Sequence, residues 1–307
     1  MPAVQAEETN WPTHTVTIIV PFPAGGSQDA IARMMAKHLE DALGKTFVVL
    51  NRAGAAGNIG TRAGVKAKSD GYTFVLSSSG PLANNRFLYD DLGYDPSTDI
   101  SPVSLVGQFP MLIVSGKHTG VEDLQSYVAS ANKAPGLDIG TPGPGSMGDL
   151  TARLLESTTQ TKLLLVPYQG GAPAMNAAIA KEIGLAVDVV NAATVGMIKD
   201  GRLNAVAITS RERFPGLPNL KTATEQGYPG LSASVHFALV GPKEVAPAII
   251  VRLNSEINRF LSLPSTIEKF YALGAQPIGG SPQAVTDMIS DTIARWKSIL
   301  QQAASSK

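Results

Sequence analysis

The sequence predicts an α/β fold of two lobes, each a mostly parallel sheet flanked by helices. Three observations carry this expectation. Short β-rich runs alternate with amphipathic helical runs along the chain. A strand, a glycine turn and a helix recur in that order at 15–44, at 137–159 and again from 162. The length of 307 residues, 44% of them hydrophobic, is ample for two cores.

"TVTIIVPF" (15–22) reads as a buried strand. "DAIARMMAKHLEDALG" (29–44) follows as a helix, with Ile31, Met34, Met35, His38, Leu39 and Leu43 on or near one face and Gly44 as its stop. "TFVVLN" (46–51) and "TFVLSSS" (73–79) are the next strands, joined by a Gly/Ala-rich connection with helical content over 61–67. A strand at 137–141 then leads through "GPGSMG" to a helix near Asp149, and a strand at 162–167 leads through Gly170–Gly171 to a helix from about Ala172. "DGRLNAVAITS" and "SVHFALVGP" (234–242) are strands, and the last third of the chain is helical. The lobes are expected at 12–112 plus 238–307 and at 113–237, with hinge crossings near Pro110–Val114 and Ser234–Leu239.

Composition removes several functions. Lys+Arg and Asp+Glu balance at 25 each, with no basic stripe, so nucleic acid is not an expected partner. There are no cysteines and four histidines (His14, His38, His118 and His236), none at i,i+4 spacing. Disulfides, thiolate chemistry and a dedicated metal site are therefore not expected, and no cofactor is called for. No apolar run approaches the roughly 18 residues of a membrane span. Val4 and Ala6 have the spacing of a signal-peptidase site, so Met1–Ala6 reads as the remnant of a clipped leader and the periplasm as the compartment.

The glycine turns carry the functional signal. A helix start leaves its first N–H groups without intrahelical acceptors and bears roughly half a positive charge, which makes a seat for a carboxylate or phosphate. Gly25–Asp29 and Gly143–Asp149 are two such seats, one in each expected lobe. The plainer reading is a tight turn permitted by Gly25 and Gly26, with Ser27 or Asp29 capping the helix. Ser78 and Ser79, in a serine run closed by Gly80, offer hydroxyls or form a polar turn. Asp188 is an acid in the apolar stretch "LAVDVVNAA"; it is either a ligand group or the cap of the following helix. His236 interrupts a strand at an expected hinge.

Two enzymatic patterns compete. "GPGSMG" matches GxGxxG, but the next strand ends in "VPYQGG" with no acid for a ribose. Ser146, Asp188 and His236 fall in the chain order of an α/β-hydrolase triad, yet "PGSMG" puts Pro144 where the nucleophile elbow has glycine.

Taken in order, "WPTHTVTIIVPFPAGGSQDAIAR", "NRAGAAGNIGTRAGVKAKSDGYTFVLSSSG", "LGYDPSTDISPVSLV", "VPYQGGAPAM", "DGRLNAVAITSRERFPGLPNLKTATEQGYPGL" and "LGAQPIGGSP" resemble the extracytoplasmic solute receptors of tripartite tricarboxylate transporters, the Bug family. The resemblance implies a periplasmic-binding-protein fold of type II-like form with two crossovers. It implies a small carboxylate held in the cleft by loops matching Pro21–Asp29 and Thr141–Asp149, and delivery to membrane subunits. The expected ligand set is Phe22, Gly25, Gly26, Ser27, Gln28, Asp29, Ser78, Ser79, Thr141, Gly143, Gly145, Ser146, Met147, Tyr168, Asp188 and His236. Asp188 matches a recurrent family Asp and Tyr168 a recurrent aromatic. The chain departs from the pattern at His236, where relatives commonly carry an aromatic, and at Gly184 and Val187 in "IGLAVD"; a smaller wall and an imidazole there fit a bulkier or second carboxylate. A ligand-presenting sensor has the same expected site.

Overall fold

The computed structural model describes residues 10–131 and 137–305; the Met1–Ala6 leader remnant lies outside them. The chain divides into two compact units, one of Met1–Gly107, His236–Phe270 and Pro277–Lys297, the other of Gln108–Val235, Tyr271–Gln276 and Ser298–Lys307. Among the described residues no helix is long and apolar enough to cross a membrane.

The first unit begins with β1 (Val16–Val20), α1 (Ser27–Leu43), β2 (Phe47–Asn51), α2 (Asn58–Val65), β3 (Thr73–Ser78) and the single turn α3 (Ser79–Leu82). β1 lies between β2 and β3, parallel to both, with Ile18 level with Val49 and with Phe74. A central strand covered on both faces must be apolar throughout, and Ile18, Ile19 and Val20 are buried. α1 buries Ile31, Ala32, Met35, Ala36 and Leu39, each large side chain contributing about 1.5–3 kcal/mol. Gly44 ends it in the left-handed conformation, its N–H donating to Glu40 O, a geometry that costs glycine no Cβ clash. Trp11 closes the same, amino end of the strands: its Nε1–H donates to Gly71 O and its ring meets Phe47 and Phe74 edge-on.

The long strand β4 (Ile100–Gly116) carries the chain into the second unit. There follow α4 (Leu124–Ala131), β5 (Leu137–Thr141), α5 (Met147–Thr159), β6 (Leu163–Pro167), α6 (Gly171–Ile179), β7 (Leu185–Val189), α7 (Ala192–Lys199) and β8 (Leu203–Ile208). β5 lies between β6 and β7, parallel to both. The second half of β4 runs antiparallel to β7 on one side and to β8 on the other. Leu112, Val114, Met175, Ile183, Leu203, Ile208 and Phe214 form this unit's core.

β9 (Ser234–Pro242) returns the chain to the first unit, antiparallel to β3 with Ser78 level with Phe237. α8 (Pro247–Ser262), α9 (Pro264–Ala272), β10 (Gln276–Pro277) and α10 (Pro282–Ser305) follow; α8 and most of α9 and α10 belong to the first unit, while Tyr271–Gln276 and the end of α10 from Ser298 belong to the second. α8 packs on α1, where His38 tilts against Phe260 and lies 3.7 Å from the Glu256 carboxylate. The partly buried packing position expected of a helical-face histidine is the one found.

α2 is threaded by glycines because its backbone touches its neighbours. A Cβ on Gly60 would fall on the Arg52 carbonyl oxygen and lie 2.7 Å from Pro21 Cα. Backbone cannot swing aside as a side chain can. Gly60→Ala is therefore expected to cost about 1–3 kcal/mol, or roughly 2–4 °C of melting temperature per kcal/mol. Gly196→Ala, in α7 with nothing within 4 Å of the added carbon, is expected to hold or raise stability by about 0.5–1 kcal/mol. Paired thermal melts of the two variants check both signs.

Candidate functional site

In the first unit the loop between β1 and α1 leaves the carboxyl end of the parallel strands, where α/β proteins build their sites. α1 starts at Ser27 with Gly26 as its N-cap, and no side chain caps it. Asp29 is not the cap expected from the sequence. It sits in the first turn, 4% exposed, and reaches back over the loop. Its Oδ2 accepts the Gly25 N–H at 2.9 Å and Arg33 Nε–H at 3.1 Å, while Oδ1 accepts Asn51 Nδ2–H at 2.9 Å. Arg33 Nη2 lies 3.0 Å from Oδ1 and also donates to Asn51 Oδ1. Asn51 donates onward to Phe22 O at 3.1 Å. Burial pushes the Asp29 carboxyl up, but Arg33, the Gly25 amide and Asn51 outweigh it and hold the group below its ordinary value of 3.8.

The loop is thus clamped from inside. The Gly25 N–H is spent on Asp29, and the Gln28 amide group donates to Leu76 O at 2.7 Å. The first intrahelical bond runs from Ala30 N–H to Gly26 O, so the backbone amide of Gln28 stands ahead of it at the positive end of the helix. Phe22 packs where a Cβ on Gly57 would sit, 3.1 Å from its ring, and Pro81 borders the same point. The 21–26 loop, the 54–58 turn and the start of α3 therefore share one edge of the unit.

Ser77, Ser78 and Ser79 lie at that edge and are buried. Ser77 Oγ bonds Thr61 Oγ1 at 2.7 Å, and Asn85 Nδ2–H donates to Ala56 O and to Asn58 Oδ1. Ser79 Oγ and Asn84 Oδ1 are buried with no hydrogen-bond partner. Buried polar atoms in that condition are rare and call for an explanation.

The second unit repeats the device. β5, β6 and β7 end side by side, and loops 142–146, 168–170 and 190–191 lead into α5, α6 and α7. α5 begins at Met147 rather than near Asp149, with Ser146 as its cap: Ser146 Oγ accepts the Asp149 N–H at 3.1 Å. Asp149 Oδ2 in turn accepts the Gly145 N–H at 3.0 Å and Arg153 Nε–H at 3.3 Å. Each end satisfies the other, as in a capping box. Gly143 and Gly145 take positive φ of 121° and 72°, and the Tyr168 N–H donates to Thr141 O.

Asp188 closes β7, half-buried, with its carboxylate against Gly171, the first residue of α6. It does not cap the next helix as one reading of the sequence had it: Asn191 caps α7, accepting the Thr194 N–H at 2.9 Å. Burial pushes the Asp188 carboxyl up, against a single backbone bond from Val189. His236 stands half-buried in β9.

Arg33, Asn51, Asn84, Asn85 and Arg153 were not singled out from the sequence. A signal for the arginines was present: "GGSQDAIAR" (25–33) and "GSMGDLTAR" (145–153) share the pattern G-x-x-x-D-x-x-A-R. Its spacing lets the aspartate take the glycine amide behind it and the arginine one turn ahead. Among the described residues no group of three or more His, Asp or Glu is placed to hold a metal ion.

Replacing Asp29 by Asn removes the charge and keeps the shape. The variant is expected to lose about 1–3 kcal/mol at neutral pH. Because the folded carboxyl titrates below 3.8, its contribution is present above that pH and is lost as pH falls through the folded value. Urea melts should show wild type and Asp29→Asn separated at neutral pH and converging at about pH 2.

Comparison with known proteins identifies the family. Residues 31–304 match the model of the tripartite tricarboxylate transporter family receptor, TctC. The chain is 37% identical over 303 residues to Protein BugT of Bordetella pertussis (strain Tohama I), covering 98% of this chain and 92% of that one. Among solved structures it is similar to R. palustris Rpa4515 with adipate (34% identity, TM-score 0.79, 96% and 98% of the two chains). It is also similar to MatC from Rhodopseudomonas palustris with bound malate (26% identity, TM-score 0.74, 94% and 99%). The nucleotide and serine-hydrolase readings fall away, since the matching family is one of receptors, and Ser146 Oγ serves as a helix cap. The chain belongs to the tripartite tricarboxylate transporter receptor family, the periplasmic solute-binding receptors of the TctC and Bug type.

Proposed function

We propose that this receptor captures a small dicarboxylate at its clamped glycine loops and delivers it to the membrane subunits of a tripartite tricarboxylate transporter. The observation that carries the reading is the repeated device: in each unit a buried aspartate fixes a glycine loop at a helix start. A preorganised loop orders little on binding, so less of the interaction is lost to entropy. The relatives that hold adipate and malate support the dicarboxylate class.

In this reading Gly25, Gly26, Gly143 and Gly145 let the main chain approach the ligand, and the Gln28 amide meets one carboxylate. Ser27, Ser78, Thr141 and Ser146 add hydroxyls. Phe22, Met147 and Tyr168 supply apolar walls. Asp29 and the Gln28 side chain act from behind, holding the loop. Ser79 Oγ and Asn84 Oδ1 are polar atoms that a ligand's second end, or a water on it, satisfies. Asp188 and His236 are assigned to the ligand side.

The test is the thermal midpoint of the purified protein against mono-, di- and tricarboxylates, aliphatic and aromatic, with NAD and a neutral sugar as controls. A ligand at about 100 times its Kd adds about 2.7 kcal/mol. Dicarboxylates are expected to raise the midpoint and the controls to leave it unchanged. No shift with any carboxylate, on protein shown free of co-purified ligand, would refute the reading.

A further inference from the structure

Asp188 is a half-buried acid of the second unit that takes no part in the clamp. In the parallel register of β5 and β7, Ile139 lies level with Leu185 and Gly140 with Ala186. Continued two residues beyond these pairs, the same register brings Asp188 level with Pro142, where the glycine loop begins. A Cβ on Gly148, in the first turn behind that loop, would lie 3.2 Å from Val187 O. On its other side the Asp188 carboxylate fills the space that any side chain on Gly171 would need. The group is held at the rim where the 142–146 and 168–170 loops leave the sheet.

Among the described residues no cation compensates it. β4 opposite, from Met111 to Ser115, and α6 carry no titratable side chain. On β5, Asp138 is at the far end of β7, accepting the Gly184 N–H. On α5, Asp149 and Arg153 satisfy one another. Tyr168 follows β6, and on α7 Lys199 comes at the last turn. The remaining favourable influences are the start of α6 and the Val189 amide, and burial overcomes them, pushing the carboxyl upward.

Resting on the carboxylate reading above, we propose that a carboxylate entering the 141–146 loop is accompanied by protonation of Asp188, so that the receptor takes up a proton with its ligand. Two half-buried anions side by side with no cation between them repel each other. Protonation removes the repulsion and turns Asp188 from an acceptor into a hydrogen-bond donor for the ligand's oxygen. The proton comes from solvent and remains on Asp188 while the ligand is bound.

Titration calorimetry of the full chain with adipate and with malate, in two buffers of different ionisation enthalpy, counts the protons. The ligand's own titration, measured alone, is subtracted. Wild type is expected to take up protons on binding, with affinity rising as pH falls from about 8 to about 6, by up to tenfold per unit. Asp188→Asn is expected to take up none and to bind roughly tenfold or more tightly than wild type at the alkaline end. Wild-type binding with no uptake overturns the inference alone, as does equal uptake in Asp188→Asn. Weaker binding by a variant with an unchanged melting midpoint also overturns it, because Asp188 would then be accepting a donor from the ligand. The wild-type proton count stands without the variant if Asp188→Asn does not fold. Absence of binding by either acid overturns the inference together with the dicarboxylate reading.

Discussion

In each unit a buried aspartate one turn into a helix accepts the N–H of a glycine that precedes that helix, and the geometry of the loop follows from that bond. Gly25 to Asp29 and Gly145 to Asp149 are the two instances. A strand that ends at the carboxyl edge of a parallel sheet must turn sharply into its helix, and the turn exposes amides with no partner in either element. Without an internal acceptor the loop would sample many conformations, and any ligand would bear the cost of ordering it. The aspartate bears that cost during folding.

In the first unit Arg33, with the Gly25 amide and Asn51, explains how Asp29 stays charged while buried, and Arg153 pairs with Asp149 at the same spacing. Arg33 and Arg153 stand four residues on, half-exposed, with the guanidinium laid on the carboxylate and the rest of the side chain toward water. This is not a fully desolvated ion pair, so the large penalty of such pairs is avoided. In the first unit Asn51, at the end of β2, joins the pair and ties it to the Phe22 carbonyl. Helix α1, strand β2 and the loop are held by one polar cluster. Asp188 has none of this support, although it too stands at the carboxyl end of a strand beside a helix start.

Much of the fold was legible in the residues, and the failures have causes. β5 and β9 have the boundaries read from the sequence, 137–141 and 234–242, because each is bracketed by turn-forming residues. β4 was seen only as a crossing near Pro110. Pro102, Gly107 and Pro110 break its pattern; its second half, from Met111 to Gly116, holds as a strand because β7 and β8 flank it, and β10 also pairs with β4. β7 was read as an apolar stretch before a helix. With five residues and an acid at its end, it is a strand because β4 and β5 flank it. At the site, the glycine loops and the serines were visible as residue types. The partners that fix them were not, since Asn51 lies 22 residues from Asp29 in sequence and periodicity carries no information at that range.

Composition and local order by themselves determined the class of protein: an α/β chain without cysteine chemistry, with a glycine turn ahead of a helix in each half and an ordered set of motifs that resembles a receptor family. Those properties depend on neighbours within a few residues, where backbone sterics and helix periodicity decide. Tertiary structure decided which polar groups are spent and which are left. Only when β2 is laid beside β1 does Asn51 reach Asp29, and only when α6 is laid against β7 does Gly171 make room for the Asp188 carboxylate. Whether an acid serves the loop or faces a ligand depends on contacts between distant segments, and the chain acquires these by packing.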